Sequence, residues 1–126
     1  MTDTLQARVA YGKLPAQDIE RARRFYDEKL GLQPFGEHGP HLYYDVGGAR
    51  FILFQSAGAP SGTHDQLGFV VDDLAGRVDE LRQRGVVFED NEHTVDGIAE
   101  LGEVRAAWFK DSEGNLLNLI EGLWTS

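Results

Sequence analysis

Two kinds of hydrophobic periodicity alternate along the chain, and the alternation occurs twice. Between Asp18 and Gly31, apolar residues recur at the three- and four-residue spacing of an amphipathic helix, which Asp18 can cap and Gly31 can end. The same arrangement returns between Asp73 and Gly85. The pattern therefore predicts two helices, one in each half of the chain.

Short apolar or alternating runs predict the strands around these helices. One strand is predicted at residues 7–14 and is expected to end at Pro15, which also disfavours helix at the residue before it. The other strand candidates are residues 32–35, 41–46, 50–55, 66–71, 86–88, a run around Trp108, and 116–121. Gly47 and Gly48 predict a hairpin turn between two of them, and residues 36–40 are predicted to be a loop.

The two halves of the chain match each other in order and spacing. Residues 48–55 and 114–121 each begin at a glycine and continue into an apolar strand of the same length. The simplest explanation is an internal duplication, in which each half contains a strand, a helix and about three further strands. We expect one domain over 1–126, with a first module at about 7–56, a linker at 57–63 and a second module at about 64–124.

Charge and composition narrow the possible partners. The 126 residues include 21 acidic and 12 basic side chains, and the net charge of −9 argues against nucleic acid and anionic membrane surfaces as partners. The sequence has no cysteine, which excludes thiolate metal sites and thiol nucleophiles. It has no apolar run of membrane-spanning length, and residues 1–5 lack the features of a signal peptide, so we expect a cytoplasmic protein.

Two segments are candidates for chemistry. Along the last strand, alternation places Leu116, Asn118 and Ile120 on one face, so Asn118 is an amide in an apolar row that either protein neighbours or a ligand must satisfy. Residues 89–103 are acidic and carry no Lys or Arg. They are interpreted either as a mobile binding loop or as a solvated acidic loop.

Two motifs give the chain a resemblance to a known superfamily. They are Asp-Ile-Glu-Arg-Ala-Arg-Arg-Phe-Tyr-Asp-Glu-Lys-Leu-Gly at 18–31 and Trp-Phe-Lys-Asp-Ser-Glu-Gly-Asn-Leu-Leu-Asn at 108–118. With the duplication, the chain resembles the vicinal oxygen chelate superfamily, which includes glyoxalase I, extradiol dioxygenases, and bleomycin and fosfomycin resistance proteins. The resemblance implies an α+β fold of two tandem βαβββ modules, whose curled mixed sheets surround a central cavity, commonly in a homodimer.

The resemblance also identifies the positions at which metal-dependent members carry their ligands. Counting from the capping aspartates and the turn glycines places these positions at Tyr11, Ile52, Gln66 and Asn118. None is a histidine or a carboxylate, so a hard or borderline divalent cation lacks its usual ligands. We therefore expect no metal and no cofactor, and no glyoxalase I or extradiol dioxygenase activity.

Alternation from these positions predicts a mostly apolar cavity with a few polar groups, as is typical of small-molecule sites. Lys13 and Arg50 lie toward its ends, or else extend to solvent or pair with acidic residues. His93 is either an acid–base group over the cavity or a solvated loop residue. Trp108 is expected to stack on a ligand, to line a dimer interface or to pack in the core. The candidate ligand-binding residues are Tyr11, Lys13, Arg50, Phe54, Gln66, Val70, His93, Trp108 and Asn118.

Three functions are compatible with this pattern. The leading hypothesis is a homodimeric protein that binds a small organic molecule in the cavity without a metal. One alternative is a metal-independent isomerase or lyase that acts on a small carbonyl compound through the polar cavity residues. The other is an interaction module that has lost its ligand site.

Overall fold

Two helices and eight strands make up the part of the chain that the structure, a computed structural model, describes, which is residues 4–124. The two ends of the expected domain, residues 1–3 and 125–126, lie outside the described residues. The elements are β1 (Tyr11–Ala16), α1 (Ile19–Glu28), β2 (Gly36–His38), β3 (His41–Val46), β4 (Ala49–Gln55), β5 (Asp65–Val70), α2 (Leu74–Gln83), β6 (Ile98–Leu101), β7 (Val104–Lys110) and β8 (Leu116–Glu121). Neither helix is long and apolar enough to span a membrane.

The elements form two four-stranded mixed sheets of identical topology. The first sheet has the order β1-β4-β3-β2 and the second has the order β5-β8-β7-β6. In each, the strand before the helix pairs in parallel with the last strand of the same module, and the other neighbours are antiparallel. The parallel pair requires a crossover, which the helix supplies. The expected α+β fold of two tandem βαβββ modules is confirmed.

The sequence predicted that the first strand would end before Pro15, but it does not. Pro15 lies inside β1, opposite Phe54 of β4, and the strand continues to Ala16. Proline is tolerated there because β1 is an edge strand, with a neighbouring strand on one side only.

The predictions for four further segments, two predicted as strands and two as loops, were wrong. Residues 32–35 are irregular, and β2 forms instead at Gly36–His38, which was predicted to be a loop. In the segment 86–88, Phe88 alone forms a bridge, with Phe109 of β7. The acidic segment 89–103 contains β6, which pairs with β7. β6 has the sequence Ile-Ala-Glu-Leu, in which no run of strand-forming residues stands out, so its pairing with β7 decides its structure.

Each helix covers one face of its own sheet. Ala22 and Tyr26 of α1 are fully buried, and Tyr26 packs beside the stacked rings of Tyr44 and Phe51, whose centroids are 4.9 Å apart. The core of the second module consists mainly of Leu74, Val78, Leu81, Phe109, Leu117 and Leu119. Burying each of these large side chains contributes roughly 1.5–3 kcal/mol to folding, so the helix-facing sides hold the modules together.

The turn between β7 and β8, residues 111–115, is buried rather than solvated, and we call it the buried turn. Asn115 has no exposed surface and donates from Nδ2 to the carbonyl oxygen of Pro15 (3.0 Å) and to Asp111 Oδ2 (2.8 Å). The Tyr26 hydroxyl donates to the same carboxylate oxygen (2.7 Å). Burial raises the pKa of Asp111, although these hydrogen bonds oppose the rise. The buried turn therefore connects β1 and α1 to the second module.

Glu113 makes a second set of contacts from the buried turn to α1. Its carboxylate accepts from Arg21 Nε (2.8 Å), from Arg21 Nη2 (2.9 Å) and from the backbone N–H of Asp18 (3.0 Å), and its side chain has no exposed surface. Burial alone would raise the pKa of Glu113, but these donors, together with Ser112 Oγ, lower it to about 2. The bidentate pair fixes α1 against the second module.

The other ends of the two helices cap each other. Lys29 and Arg84 are the C-cap residues of α1 and α2. Lys29 Nζ donates to the carbonyl oxygen of Arg84 (2.5 Å), and Arg84 Nη1 donates to the carbonyl oxygen of Lys29 (3.0 Å). Each side chain thus satisfies a terminal carbonyl of the opposite helix, where a positive charge is also favoured.

Candidate functional site

Each sheet has an open face on the side away from its helix. On the first sheet this face carries Tyr11, which is 55% exposed, together with the partly buried Ile52 and Phe54. On the second sheet it carries the partly buried Trp108 and Asn118. Because successive side chains of a strand point to opposite faces, the buried residues between these positions lie under the helices. The open faces are therefore the surfaces available to a ligand.

An aromatic depression of about 300 Å³ lies on the first sheet, and we call it the first depression. Tyr11 and Arg50 are neighbours across β1 and β4 and both line it. The Arg50 guanidinium carbon lies 4.8 Å from the centre of the Phe35 ring, and Arg50 Nε donates to Asp45 Oδ2 (3.1 Å). The remaining lining residues are Val9, Tyr43, Tyr44, Phe51 and Ile52. Arg50 therefore supplies an oriented positive charge at the edge of an apolar surface.

Lys13 and Phe54 lie farther along the same open face. Lys13 Nζ is 4.6 Å from the centre of the Phe54 ring, within the range of a cation–π contact. Lys13 also lies opposite Ile52 in the parallel pair of β1 and β4. Both predicted residues thus face the side of the sheet that carries Tyr11.

A depression of about 390 Å³ lies on the second sheet, and we call it the second depression. Trp108 forms part of its wall, and the indole Nε1 donates to Asp65 Oδ2 (3.0 Å), which orients the ring. His93 lies at its edge, with a side chain that is 79% exposed and a ring nitrogen 3.4 Å from Glu92 Oε1. The other lining residues are Glu89, Asn91, Thr94, Ala99, Leu101 and Leu116.

Asn118 and Gln66 lie on neighbouring strands of the second sheet. Asn118 is opposite Gly68, and a Cβ at Gly68 would lie only 2.3 Å from Asn118 Oδ1, so the glycine provides the space that the amide occupies. Gln66 is at the irregularity between Asp65 and Leu67, where β5 shifts its register against β8. Among the described residues, its buried Oε1 has no hydrogen-bond partner. This neutral acceptor is a polar group that a ligand can satisfy.

The four positions at which metal-dependent relatives carry ligands occur in two pairs. Tyr11 and Ile52 both line the first depression, and Gln66 and Asn118 lie on adjacent strands of the second sheet. A phenol, an alkyl group and two neutral amides supply no anionic oxygen and no imidazole, so this set does not fit a divalent cation. Within residues 4–124, no three histidine or carboxylate side chains come close enough to hold a metal ion.

The predicted site residues are divided among several places. Tyr11 and Arg50 line the first depression, while Trp108 and His93 line the second. Val70, which lies opposite Ile120 in the pair of β5 and β8, lines a groove between the modules and neither depression.

The sequence prediction missed some lining residues. Tyr43 lies opposite Ile52 in the β3–β4 hairpin, and extending the alternation across that hairpin would have identified it. Phe35 was assigned to a strand that does not form, and its backbone N–H instead donates to the carbonyl oxygen of Tyr43 (2.8 Å).

One family model matches the sequence, and several solved structures have a similar fold. A sequence model described as the Glyoxalase/Bleomycin resistance protein/Dioxygenase superfamily matches residues 7–119. A solved glyoxalase family protein from Bacillus anthracis is 17% identical, with a TM-score of 0.76 over 97% of this chain and 99% of that chain. A glyoxalase/bleomycin resistance protein/dioxygenase from Nocardioides is 18% identical, with a TM-score of 0.69 over 97% and 89% of the two chains.

A third similar structure contains a metal and a ligand. It is a mutant of the fosfomycin resistance protein FosX from Listeria monocytogenes, complexed with Mn(II) and dihydroxypropylphosphonic acid. It is 14% identical, with a TM-score of 0.69 over 92% of this chain and 90% of that chain. At such identities the likeness to solved structures shows the fold alone. No curated protein matches the sequence.

Proposed function

Because the chain belongs to the glyoxalase/bleomycin resistance protein/dioxygenase superfamily, we propose that it binds a small organic molecule against its open sheet faces without the help of a metal. The observation that carries this proposal is the chemistry of the open faces. Aromatic and aliphatic side chains form most of the wall of the first depression, and Trp108 with three aliphatic residues forms the apolar part of the second. Neutral groups, Tyr11, Ile52, Gln66 and Asn118, occupy the positions at which metal-dependent relatives carry ligands.

The two depressions differ in their polar groups. On the first sheet, Arg50 and Lys13 lie over the rings of Phe35 and Phe54, whereas Asp65 orients Trp108 on the second. An apolar wall with a few oriented polar groups favours a flat organic molecule that also carries hydrogen-bonding atoms. Tyr11 and Trp108 supply the stacking surfaces for such a molecule.

We also propose that the protein acts as a homodimer in which a second copy covers the open faces. In one chain the two depressions are separate, and each is open to solvent on one side. Pairing the first sheet of one copy with the second sheet of another would enclose a ligand between Tyr11 and Trp108. The exposed Val9 and Phe35 at the first depression would also become buried, which favours association.

Intrinsic fluorescence tests ligand binding because the two tryptophans are in different surroundings. Trp108 lies at the second depression, and Trp124 is 83% exposed. Titration with a panel of aromatic and amphiphilic molecules should quench the fluorescence of the Trp124→Phe variant as it quenches that of the unaltered protein. The fluorescence of the Trp108→Phe variant should not be quenched. Calorimetry should give weaker binding for Tyr11→Ala. Absence of binding across the whole panel would refute the proposal.

Metal content and oligomeric state are measured on the same samples. We expect binding to be unchanged by a chelator, with a metal content well below one ion per chain in elemental analysis. A stoichiometric ion that is lost from the Gln66→Ala or Asn118→Ala variant would overturn the metal-free mode. Light scattering during gel filtration should give twice the 14.0 kDa chain mass. A monomer at micromolar concentration would exclude the shared cavity.

A further inference from the structure

A second small-molecule site is suggested by a groove between the two modules, on the side of the helices. The groove has a volume of about 230 Å³ and takes its lining from both modules. Leu81 of α2 and Leu119 of β8 both belong to the core, so this part of the groove lies on the helix side of the second sheet. The groove shares no lining residue with either depression. Its apolar lining is completed by Leu30, Leu32, Val46, Phe69, Val70 and Val71.

The charged residues of the groove all come from α2 and its C-cap. Arg77, Glu80 and Arg84 line it together and give it a local charge of +1 in a chain whose net charge is −9. Glu80 pairs with both arginines, through Arg77 Nη2 (3.2 Å) and Arg84 Nη2 (3.0 Å). This shared carboxylate holds the two guanidinium groups beside the apolar surface.

Of the two arginines, Arg77 has more N–H donors left for a ligand. Arg84 also donates to the carbonyl oxygen of Lys29, whereas the Arg77 side chain is 50% exposed and is held by Glu80 at one nitrogen. A guanidinium carries five N–H donors in a planar fork that matches a carboxylate. A ligand carboxylate can therefore bind Arg77 without breaking the pair with Glu80.

We propose that this groove binds a small amphipathic carboxylate, with its hydrocarbon chain on the apolar lining and its carboxylate at Arg77. The volume is below the roughly 300–1,000 Å³ of pockets for drug-sized ligands, so the occupant is small. At roughly 30 Å³ per water-sized group the groove holds about eight such groups, which is the size of a six-carbon acid. The apolar lining disfavours inorganic anions, and Glu80 disfavours dianions.

Titration of the ¹⁵N-labelled full-length protein with hexanoate, followed by amide chemical shifts, tests this proposal. We expect saturable shifts at residues 46, 69–71, 77 and 81. Hexan-1-ol, which has the chain without the charge, should bind at least fivefold more weakly, and acetate, which has the charge without the chain, should cause no saturable shift at these amides. Shifts confined to the two depressions, or equal binding of hexanol and hexanoate, would overturn the proposal.

Three variants separate the contributions of charge and space. Arg77→Gln should weaken hexanoate binding up to about fivefold and leave hexanol unchanged, as expected for a half-exposed charge pair. Arg24→Gln removes the same charge from the exposed surface of α1, away from the groove, and should change neither ligand.

Val46→Phe fills the groove and should abolish the binding of both hexanoate and hexanol. Thermal unfolding checks whether the Val46→Phe variant is folded. If Val46→Phe is unfolded, the Arg77→Gln variant still tests the site, because Arg77 is at an exposed position. Unchanged hexanoate affinity in Arg77→Gln, or retained affinity in a folded Val46→Phe variant, would refute the site. Neither result bears on ligand binding at the open faces.

Discussion

The Glu113→Gln variant offers a quantitative test of how the two modules are joined. Glu113 accepts two hydrogen bonds from Arg21 and one from the backbone of Asp18, at 2.8–3.0 Å. Glutamine has nearly the same shape, but it carries no charge and offers one acceptor oxygen where the carboxylate has two. The substitution therefore removes the ion pair without creating a cavity.

The expected loss of stability follows from the pKa. Hydrogen bonds and the charge of Arg21 outweigh burial and lower the pKa of Glu113 from its ordinary value of 4.5 to about 2. A shift of that size corresponds to about 3 kcal/mol at neutral pH, at roughly 1.4 kcal/mol per pKa unit. Arg21 is half exposed, and solvent screening reduces the contribution, so we expect a loss of about 2 kcal/mol.

The contribution of Glu113 to the free energy of unfolding should depend on pH. A carboxylate whose pKa is lower in the folded state stabilises the protein above its unfolded pKa, and that stability disappears as the pH falls through the folded value. For Glu113 the relevant interval is from about pH 5 down to about pH 2. The difference in free energy of unfolding between Glu113→Gln and the unaltered protein should therefore be constant from pH 7 to 5 and should shrink toward pH 2.

Urea unfolding at several pH values, followed by tryptophan fluorescence, measures this difference. Glu37→Gln is the matched control, because Glu37 also pairs with an arginine of α1, Arg23 (2.6 Å), but its side chain is 56% exposed. An exposed pair contributes roughly 0–1 kcal/mol, so the control should lose much less stability. Equal losses in the two variants, or a loss in Glu113→Gln that persists at pH 2, would refute the reasoning.

Asp111, two residues away in the buried turn, changes the stability with pH in the opposite direction. Burial raises its pKa, so the folded protein holds the proton of Asp111 more tightly than the unfolded chain does. Its contribution is greatest below its ordinary pKa of 3.8 and is lost as the pH rises through the folded value. Protonation of Asp111 therefore offsets part of the acid destabilisation that Glu113 causes, and Asp111→Asn should steepen the loss of stability at low pH.

Three further substitutions test other contacts. Asn115→Ala should cost roughly 2–4 kcal/mol in urea unfolding, because it removes two hydrogen bonds to Pro15 and Asp111 at a buried position. A loss below about 1 kcal/mol would contradict this. Tyr26→Phe should cost roughly 1–2 kcal/mol in the same assay through its lost bond to Asp111, and an unchanged stability would show that this bond contributes nothing net. Gly68→Ala should cost roughly 1–3 kcal/mol by its clash with Asn118, and adding Asn118→Ala should recover most of that loss in thermal unfolding. A double variant no more stable than Gly68→Ala would exclude the clash as the cause.

Local signals in the sequence predicted most of the fold. Asp18 and Asp73 cap the two helices as their positions indicated, each accepting a hydrogen bond from a backbone N–H three residues later. Alternation in β8 placed Leu117 and Leu119 under α2 and Asn118 on the open face. These features depend on neighbours within a few residues, which the sequence contains directly.

The features that the sequence did not predict depend on distant partners. The composition of the buried turn is typical of an exposed hairpin loop, yet Asp111 and Glu113 are buried because their donors Tyr26 and Arg21 come from the first module. Which residues come together on the open faces also depends on distant partners. Alternation identified Tyr11 and Trp108, but it contains no information about which side chains share a depression, and it did not place Val70 in the groove.

The buried turn also has a consequence for the order of events during protein synthesis. Ribosomes release the first module before residues 111–115 exist, so the hydroxyl of Tyr26 and the first turn of α1 emerge without the groups that later satisfy them. Closing contacts across some 85 to 100 positions is entropically slow. The amino-terminal half should therefore stay loosely packed on the nascent chain and become fixed only once the final hairpin has left the exit tunnel.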